Sequence, residues 1–119
     1  MPLAKKDPVF RQSIAWARRY MPMPISFRTV VGLKLDGQKC DGVTTRLKGG
    51  GFKIEIERRL NTSDAILTLH HELAHALAIH RYGLGDSHED QHSDDWGREY
   101  ARVYSDYWTW IDKQDRKQP

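Results

Sequence analysis

The segment LTLHHELAHAL, residues 67–77, decides how the rest of this 119-residue chain is interpreted. It contains the pattern H-E-x-x-H at His71, Glu72 and His75. The cluster Asn61 to Asp64 before it is rich in side chains that cap helix N-termini. Apolar residues follow on nearly every side of the predicted helix, which is typical of a central, buried helix. We therefore predict a long helix that ends near Tyr82.

The spacing of the two histidines predicts a metal site. Residues four apart on a helix lie on one face, roughly 6 Å apart at Cβ, so His71 and His75 can bind a single ion. Glu72 is rotated by about 100° from His71 and can lie beside water at the metal instead of binding the metal itself. This arrangement suits Zn²⁺ with Glu72 as a general base. The alternative is a buried helix in which both histidines are structural.

A catalytic zinc site needs a third protein ligand, and three downstream residues are candidates. His92 comes directly before the N-cap of a final predicted helix and is the predicted ligand. Glu99, in the second turn of that helix, and His88, in the loop before it, remain alternatives, as does an Asp. The longer metzincin pattern is excluded, because Ala78 and Arg81 occupy the positions that would carry Gly and His.

The flanking sequence predicts an α+β fold. Asp7-Pro8 begins an N-terminal helix that ends at the prolines of 21–24. Period-two alternation predicts a three-stranded, mainly antiparallel meander, and the last strand has Lys53, Glu55 and Glu57 on its wet face. A C-terminal helix and a charged tail over about 113–119 complete a single domain. The predicted strands cover 25–35, 43–48 and 52–57.

Composition excludes several classes of protein. The lone Cys40 rules out an internal disulfide framework and a Cys-rich zinc ribbon. No apolar run approaches the ~20 residues that cross a bilayer, and no secretory h-region begins the sequence, so we expect a cytoplasmic protein without membrane contact.

The two halves of the sequence differ in charge. Residues 1–60 carry 13 Lys or Arg against 5 Asp or Glu, a net charge of +8, and residues 61–119 carry 6 against 11, a net charge of −5. The basic half predicts either DNA contacts or solvated surface charge.

The order strand, H-E-x-x-H helix, polar loop and His92-Ser93-Asp94-Asp95-Trp96 resembles the SprT-like metallopeptidases, which include Spartan, and the related Wss1-type proteases. The similarity covers roughly 52–104. It implies a minimal zincin fold in which His71, His75 and His92 bind Zn²⁺ and Glu72 is the catalytic base of a metalloendopeptidase. The resemblance also implies a protein or peptide substrate, and a DNA-associated one by analogy with Spartan. A core of this size without the ribbon suits a phage or prophage gene.

Three further hypotheses follow from the residues. The strand 52–59, next to the active-site helix, would align an extended peptide at an exposed sheet edge, or its charges would only protect that edge. Tyr100 or Tyr82 would donate a hydrogen bond to a developing oxyanion. His70 would pack behind the ligands instead of binding metal, and a non-catalytic zinc-stabilised binding module is the competing function.

Overall fold

The computed structural model describes residues 3, 7–83 and 94–117, which form three helices and five strands. The chain is α+β, as the sequence predicts. The elements in chain order are α1 (Pro8–Tyr20), β1 (Ile25–Val30), β2 (Lys34–Leu35), β3 (Gln38–Lys39), β4 (Gly42–Arg46), β5 (Phe52–Glu57), α2 (Thr62–Tyr82) and α3 (Asp94–Lys117).

Asp7 begins α1 and also ties it to α2. Its Oδ1 accepts a hydrogen bond of 2.8 Å from the amide of Phe10, and its Oδ2 accepts one of 2.8 Å from Thr62 Oγ1. Pro8 occupies the first turn of the helix, where its missing amide costs no hydrogen bond. The first residues of α1 and α2 are therefore fixed to each other by one carboxylate.

The predicted three-stranded sheet is present, but it is mixed, and the predicted meander order is wrong. The order is β1-β5-β4, with β1 parallel and β4 antiparallel to β5. The strand expected over 25–35 stops at Val30 because Gly32 turns the chain at φ 75°. Glu57 holds this turn: its Oε1 accepts hydrogen bonds from the amides of Gly32 and Leu33, at 2.9 and 3.0 Å. Glu57 is therefore buried, and its predicted place on the wet face is also wrong.

A two-residue turn joins β2 and β3 into a separate antiparallel hairpin. Asp36 and Gly37 adopt φ angles of 52° and 79°, the left-handed pair that a tight hairpin turn needs. The dipeptide Asp36-Gly37 predicts a turn from the sequence, and this turn is confirmed. Asp41-Gly42 also predicts a turn, and this prediction is wrong, because Gly42 is the first residue of β4.

The predicted central helix is confirmed as α2. Asn61 caps it by accepting a hydrogen bond from the amide of Asp64, and Gly83 ends it in the left-handed conformation at φ 64°. Leu69, Leu73 and Leu77 are completely buried against the sheet and the other helices.

Helix α3 packs along α2 and closes the core. Tyr107 is buried, and its hydroxyl lies 2.7 Å from Ser13 Oγ of α1. The helix continues to Lys117, so most of the expected tail over 113–119 is helical. Among the described residues, no helix is long and apolar enough to span a membrane.

Candidate metal centre

Helix α2 places the two histidines of the motif on one face with their rings converging. The Nε2 atoms of His71 and His75 lie 3.0 Å apart. The His75 residue is 9% exposed, whereas the His71 side chain is 37% exposed. One ring of the pair is therefore largely buried and the other is accessible, so an ion could reach both from solvent.

This geometry fits a tetrahedral metal. Two nitrogens that bind zinc at about 2.0–2.1 Å with a tetrahedral angle are about 3.3 Å from each other, close to the observed separation of the two Nε2 atoms. One ligand atom from each of His71, Glu72 and His75 lies within 4.8 Å of the others. Imidazole nitrogens are borderline-soft donors that suit zinc well. The part of the chain described by the structure thus contains a donor set that could hold one such ion.

Glu72 is buried beside the histidine pair and is held by β4. Its Oε2 lies 3.9 Å from His71 Nε2, and its Oε1 accepts a hydrogen bond of 2.8 Å from Thr44 Oγ1. Burial raises the pKa of the Glu72 carboxyl to about 7, and the hydrogen bond from Thr44 opposes that rise. A carboxyl with a pKa near neutrality can both accept and return a proton at physiological pH.

Gly42 allows β4 to approach Glu72 this closely. A Cβ atom on Gly42 would lie 2.8 Å from Glu72 Cγ, from Glu72 Oε2 and from Thr68 Cγ2. Any side chain at this position would displace either the carboxylate or the strand. The sequence analysis does not identify Gly42 and Thr44 as site residues, because they precede the motif by about thirty positions and their local pattern indicates only a turn and an ordinary strand.

Helix α3 supplies an aromatic wall to the site. The ring of Trp96 lies 5.0 Å from that of His71 and 5.5 Å from that of His75, and its Nε1 donates to the His71 carbonyl oxygen at 3.4 Å. The Tyr100 ring is 6.4 Å from that of His71. Tyr100 also lines a cavity next to the motif, whereas Tyr82 is exposed in the last turn of α2. Of the two tyrosines, Tyr100 is therefore the one positioned to reach a reacting group.

Cavities lined by described residues lie on two sides of the motif. One of about 400 Å³ is lined by Cys40, Thr68, His71, Glu72 and Tyr100, among others. The other, of about 460 Å³, runs beside β4 and is bordered by His71, Glu72 and His75. Both have the size of ordinary ligand pockets. Cys40 borders the first cavity, and burial raises the pKa of its thiol.

The predicted third ligand cannot be placed. His92 and the alternative His88 both lie outside the described residues. The other alternative, Glu99, is completely buried and bound elsewhere: its carboxylate accepts hydrogen bonds from Arg81, at 2.8 Å to Oε2, and from Arg102, at 3.2 Å to Oε1. A carboxylate held by two guanidinium groups is a poor candidate for a zinc ligand, so this alternative is not supported.

The two remaining described histidines have no place in the ligand set. His70 is completely buried against the rings of Tyr104 and Tyr107, so it packs behind the site as expected. Neither of its ring nitrogens has a hydrogen-bond partner within the described ranges. Burial lowers the pKa of His70 to about 4, so the ring is neutral at physiological pH. His80 is exposed near the end of α2.

No protein-family model, curated protein or solved structure matches this chain.

Proposed function

We propose that this chain is a zinc-dependent endopeptidase in which His71, His75 and His92 hold the metal and Glu72 is the general base. One observation carries the proposal. The carboxyl of Glu72 is buried, oriented by Thr44 and located beside two converging imidazoles. A purely structural metal site has no use for a buried carboxyl at this position, because burying it without a partner charge costs free energy.

Each residue has a defined task in the proposed reaction. When bound, zinc would polarise the scissile carbonyl and lower the pKa of water. Glu72 takes one proton from the attacking water, so that its oxygen can bond to the carbonyl carbon. The same carboxyl then gives that proton to the amide nitrogen as the C–N bond breaks. Tyr100 is our candidate for a hydrogen bond to the developing oxyanion, since it lines the cavity that contains Glu72.

The strand that aligns the substrate in this proposal is β4. The prediction that 52–59 offers an exposed sheet edge is wrong. That segment forms the central strand β5, which is paired on both sides. At the two ends of β4, the Asp41 carbonyl accepts from the Glu57 amide and the Leu47 amide donates to the Gly51 carbonyl, so the backbone groups of odd-numbered residues face β5. The backbone groups of the even-numbered residues face outward, and no other strand of the described residues pairs with them.

This outer edge of β4 borders the larger cavity of the site. Thr44 and Arg46 line it together with the motif. An extended peptide added to this edge would bring its backbone past Glu72 and the histidine pair. Its carbonyl groups would then reach the place where the proposed chemistry occurs.

We propose that the substrate is a protein, because the segment around the motif resembles the SprT-like metallopeptidases. Proteins associated with DNA are the expected subset, and the basic half of the sequence would supply any contact with DNA. Comparing cleavage with and without duplex or single-stranded DNA tests this part separately. An unchanged rate would remove DNA from the proposal and leave the peptidase chemistry intact.

The decisive experiment measures zinc per chain and cleavage of an unfolded protein substrate together. Wild type should bind one zinc and cleave; Glu72→Gln should bind one zinc and lose at least about a hundredfold in rate, the usual contribution of a general base. Equal activity in both proteins would refute the proposal. An absence of cleavage in wild type, with one zinc bound, would favour the alternative of a non-catalytic zinc-stabilised module that binds nucleic acid or protein.

The third ligand has its own test. His92→Ala should abolish stoichiometric zinc binding, whereas His80→Ala, at an exposed position of α2, should bind zinc as wild type does. Zinc that stays bound to His92→Ala would show that another residue completes the site.

A further inference from the structure

A separate cavity of about 370 Å³ lies between α1 and β1, and none of the residues of the metal centre lines it. Its floor is apolar, with contributions from Phe10, Ile14 and Ile56. Along its rim are Arg11 and Arg18. The cavity is large enough for the side chains of a bound peptide.

Three arginines border this groove without an acidic partner. Arg11, Arg18 and Arg28 form no ion pair with any described carboxylate, in contrast to Arg59, Arg81 and Arg98 elsewhere in the chain. Arg18 stands over the ring of Phe27, 5.5 Å from its centroid, which keeps the guanidinium at the groove.

Among the described residues of the lining, Asp7 is the one acidic side chain, and it offsets only part of the charge of the three arginines. The two oxygens of Asp7 accept hydrogen bonds from the Phe10 amide and from Thr62 Oγ1. Those bonds lower the pKa of Asp7 and direct its carboxylate to the starts of α1 and α2. The positive charge of the groove is therefore available to a ligand.

The wall formed by β1 is an open strand edge. The Phe52 amide donates to the Pro24 carbonyl, and the Arg58 amide donates to the Val30 carbonyl. Backbone groups of even-numbered residues of β1 therefore face β5, and those of Ile25, Phe27 and Thr29 face away. Within the described ranges no strand pairs with that side. Phe27 and Thr29 also line the groove, so the open edge and the arginines border the same space.

We propose that the groove between α1 and β1 binds a short, extended, acidic peptide, which adds to the outer edge of β1. Backbone hydrogen bonds to Phe27 and Thr29 would supply affinity that does not depend on sequence. Alternate side chains of an added strand point to the same face, so apolar ones would enter the floor of the groove. Carboxylates of the peptide would pair with the arginine rim, and guanidinium groups bind carboxylates well because two parallel hydrogen bonds form.

A labelled six-residue peptide of alternating Glu and Leu is a direct probe, with fluorescence anisotropy as the readout. We expect Arg18→Glu to weaken its binding by about tenfold or more, because a like charge replaces an attractive one. Arg19→Glu is the matched control. It makes the same change of charge in the same turn of α1, but Arg19 does not line the groove. It should bind within about twofold of wild type.

Hydrogen exchange tests the edge addition independently. The peptide should slow exchange of the Phe27 and Thr29 amides and leave that of Arg28 unchanged, because the Arg28 amide already faces β5. Three results would overturn the proposal: no binding of the peptide, binding that Arg18→Glu does not weaken, or protection confined to residues outside β1. Binding of oligothymidylate with the same dependence on Arg18, while the peptide fails to bind, would assign the groove to nucleic acid instead.

Discussion

The hydroxyl of Thr44 lies 2.8 Å from Oε1 of Glu72 and 3.1 Å from the backbone carbonyl oxygen of the same residue. One side chain of β4 thus contacts both ends of the residue that we propose as the general base. A hydroxyl has one proton to donate, and donation to Oε1 fixes the direction of the carboxylate. The strand is therefore part of the site, although it contributes no metal ligand.

Replacing Thr44 by Val should lower kcat by about tenfold to a hundredfold, a fraction of what a general base contributes. Valine has the shape of threonine but cannot donate a hydrogen bond, so the carboxylate loses its orientation while the packing is kept. KM and zinc stoichiometry should change little. Steady-state kinetics with zinc analysis checks this, and Thr44→Ser, which keeps the hydroxyl, should recover most of the rate. Equal losses in Val and Ser variants would contradict a role for the hydroxyl.

Gly42→Ala should disturb both stability and activity. Its Cβ would lie 2.8 Å from atoms of Glu72 and Thr68, and such overpacking costs about 1–3 kcal/mol of unfolding free energy. Urea denaturation and the cleavage assay measure the two effects. Gly49→Ala is the matched control, because nothing lies within 4 Å of the added atom. If the two variants were equally stable and active, the close approach of β4 to Glu72 would have no consequence.

Local signals were sufficient to predict α2 from the sequence. Asn61 caps the helix and Gly83 ends it. The residues between them are apolar on nearly every side, and a helix of this kind is stable only when it is buried in a core. The convergence of His71 and His75 follows from helix geometry alone. These features depend on residues within one or two turns of each other, so a single sequence contains them.

The sheet order could not be predicted in this way. The parallel pairing of β1 with β5 joins segments that are 27 positions apart, as in Ile25 and Phe52, and alternation within each strand does not encode its neighbour. The turn that shortens β1 is held by Glu57, 25 positions after Gly32. The same limit applies to the site, since Thr44 and Glu72 are separated by 28 positions and meet only in the folded chain.

Glu99→Gln should destabilise the protein by about 1–3 kcal/mol and leave zinc binding intact. The substitution removes the charge of a buried carboxylate that accepts hydrogen bonds from Arg81 and Arg102, and the loss is limited because both guanidinium groups are partly exposed to solvent. Denaturation and zinc analysis of the folded variant would test both statements. Asp112→Asn, which breaks the exposed pair with Arg116, should cost less than about 1 kcal/mol. Loss of zinc from a folded Glu99→Gln protein would restore Glu99 as a ligand.

Glu72→Gln should stabilise the metal-free protein at alkaline pH. The folded pKa of about 7 exceeds the ordinary value of 4.5, so the folded state holds its proton more tightly than the unfolded state. Wild-type stability therefore falls as the pH rises from about 4.5 to 7, by on the order of 3 kcal/mol, and glutamine removes that loss. Urea denaturation with a chelator present, at pH 5 and pH 8, measures the difference. If the difference in unfolding free energy between the variant and wild type were the same at both pH values, the raised pKa of Glu72 would be contradicted.

His70→Phe should remove a contribution to stability that is lost at acidic pH, whereas the contribution of Glu72 is lost as the pH rises. The folded pKa of His70, about 4, lies below the ordinary value of 6.5, so the unfolded chain binds a proton that the folded chain rejects. Wild-type stability is therefore lost as the pH falls from about 6.5 to 4, by up to about 3 kcal/mol. Phenylalanine keeps a ring against Tyr107, whose centroid is 4.5 Å from that of His70, and has no nitrogen to protonate.

Denaturation of His70→Phe and wild type at pH 7, 5.5 and 4.5 would show the variant gaining relative stability at each step. His80→Gln removes a histidine from an exposed position of the same helix and is the control. If the unfolding free energies of His70→Phe and wild type fell in parallel over this range, His70 would bind a proton equally well in the folded and unfolded chains. That result would contradict a lowered pKa of His70 in the folded state.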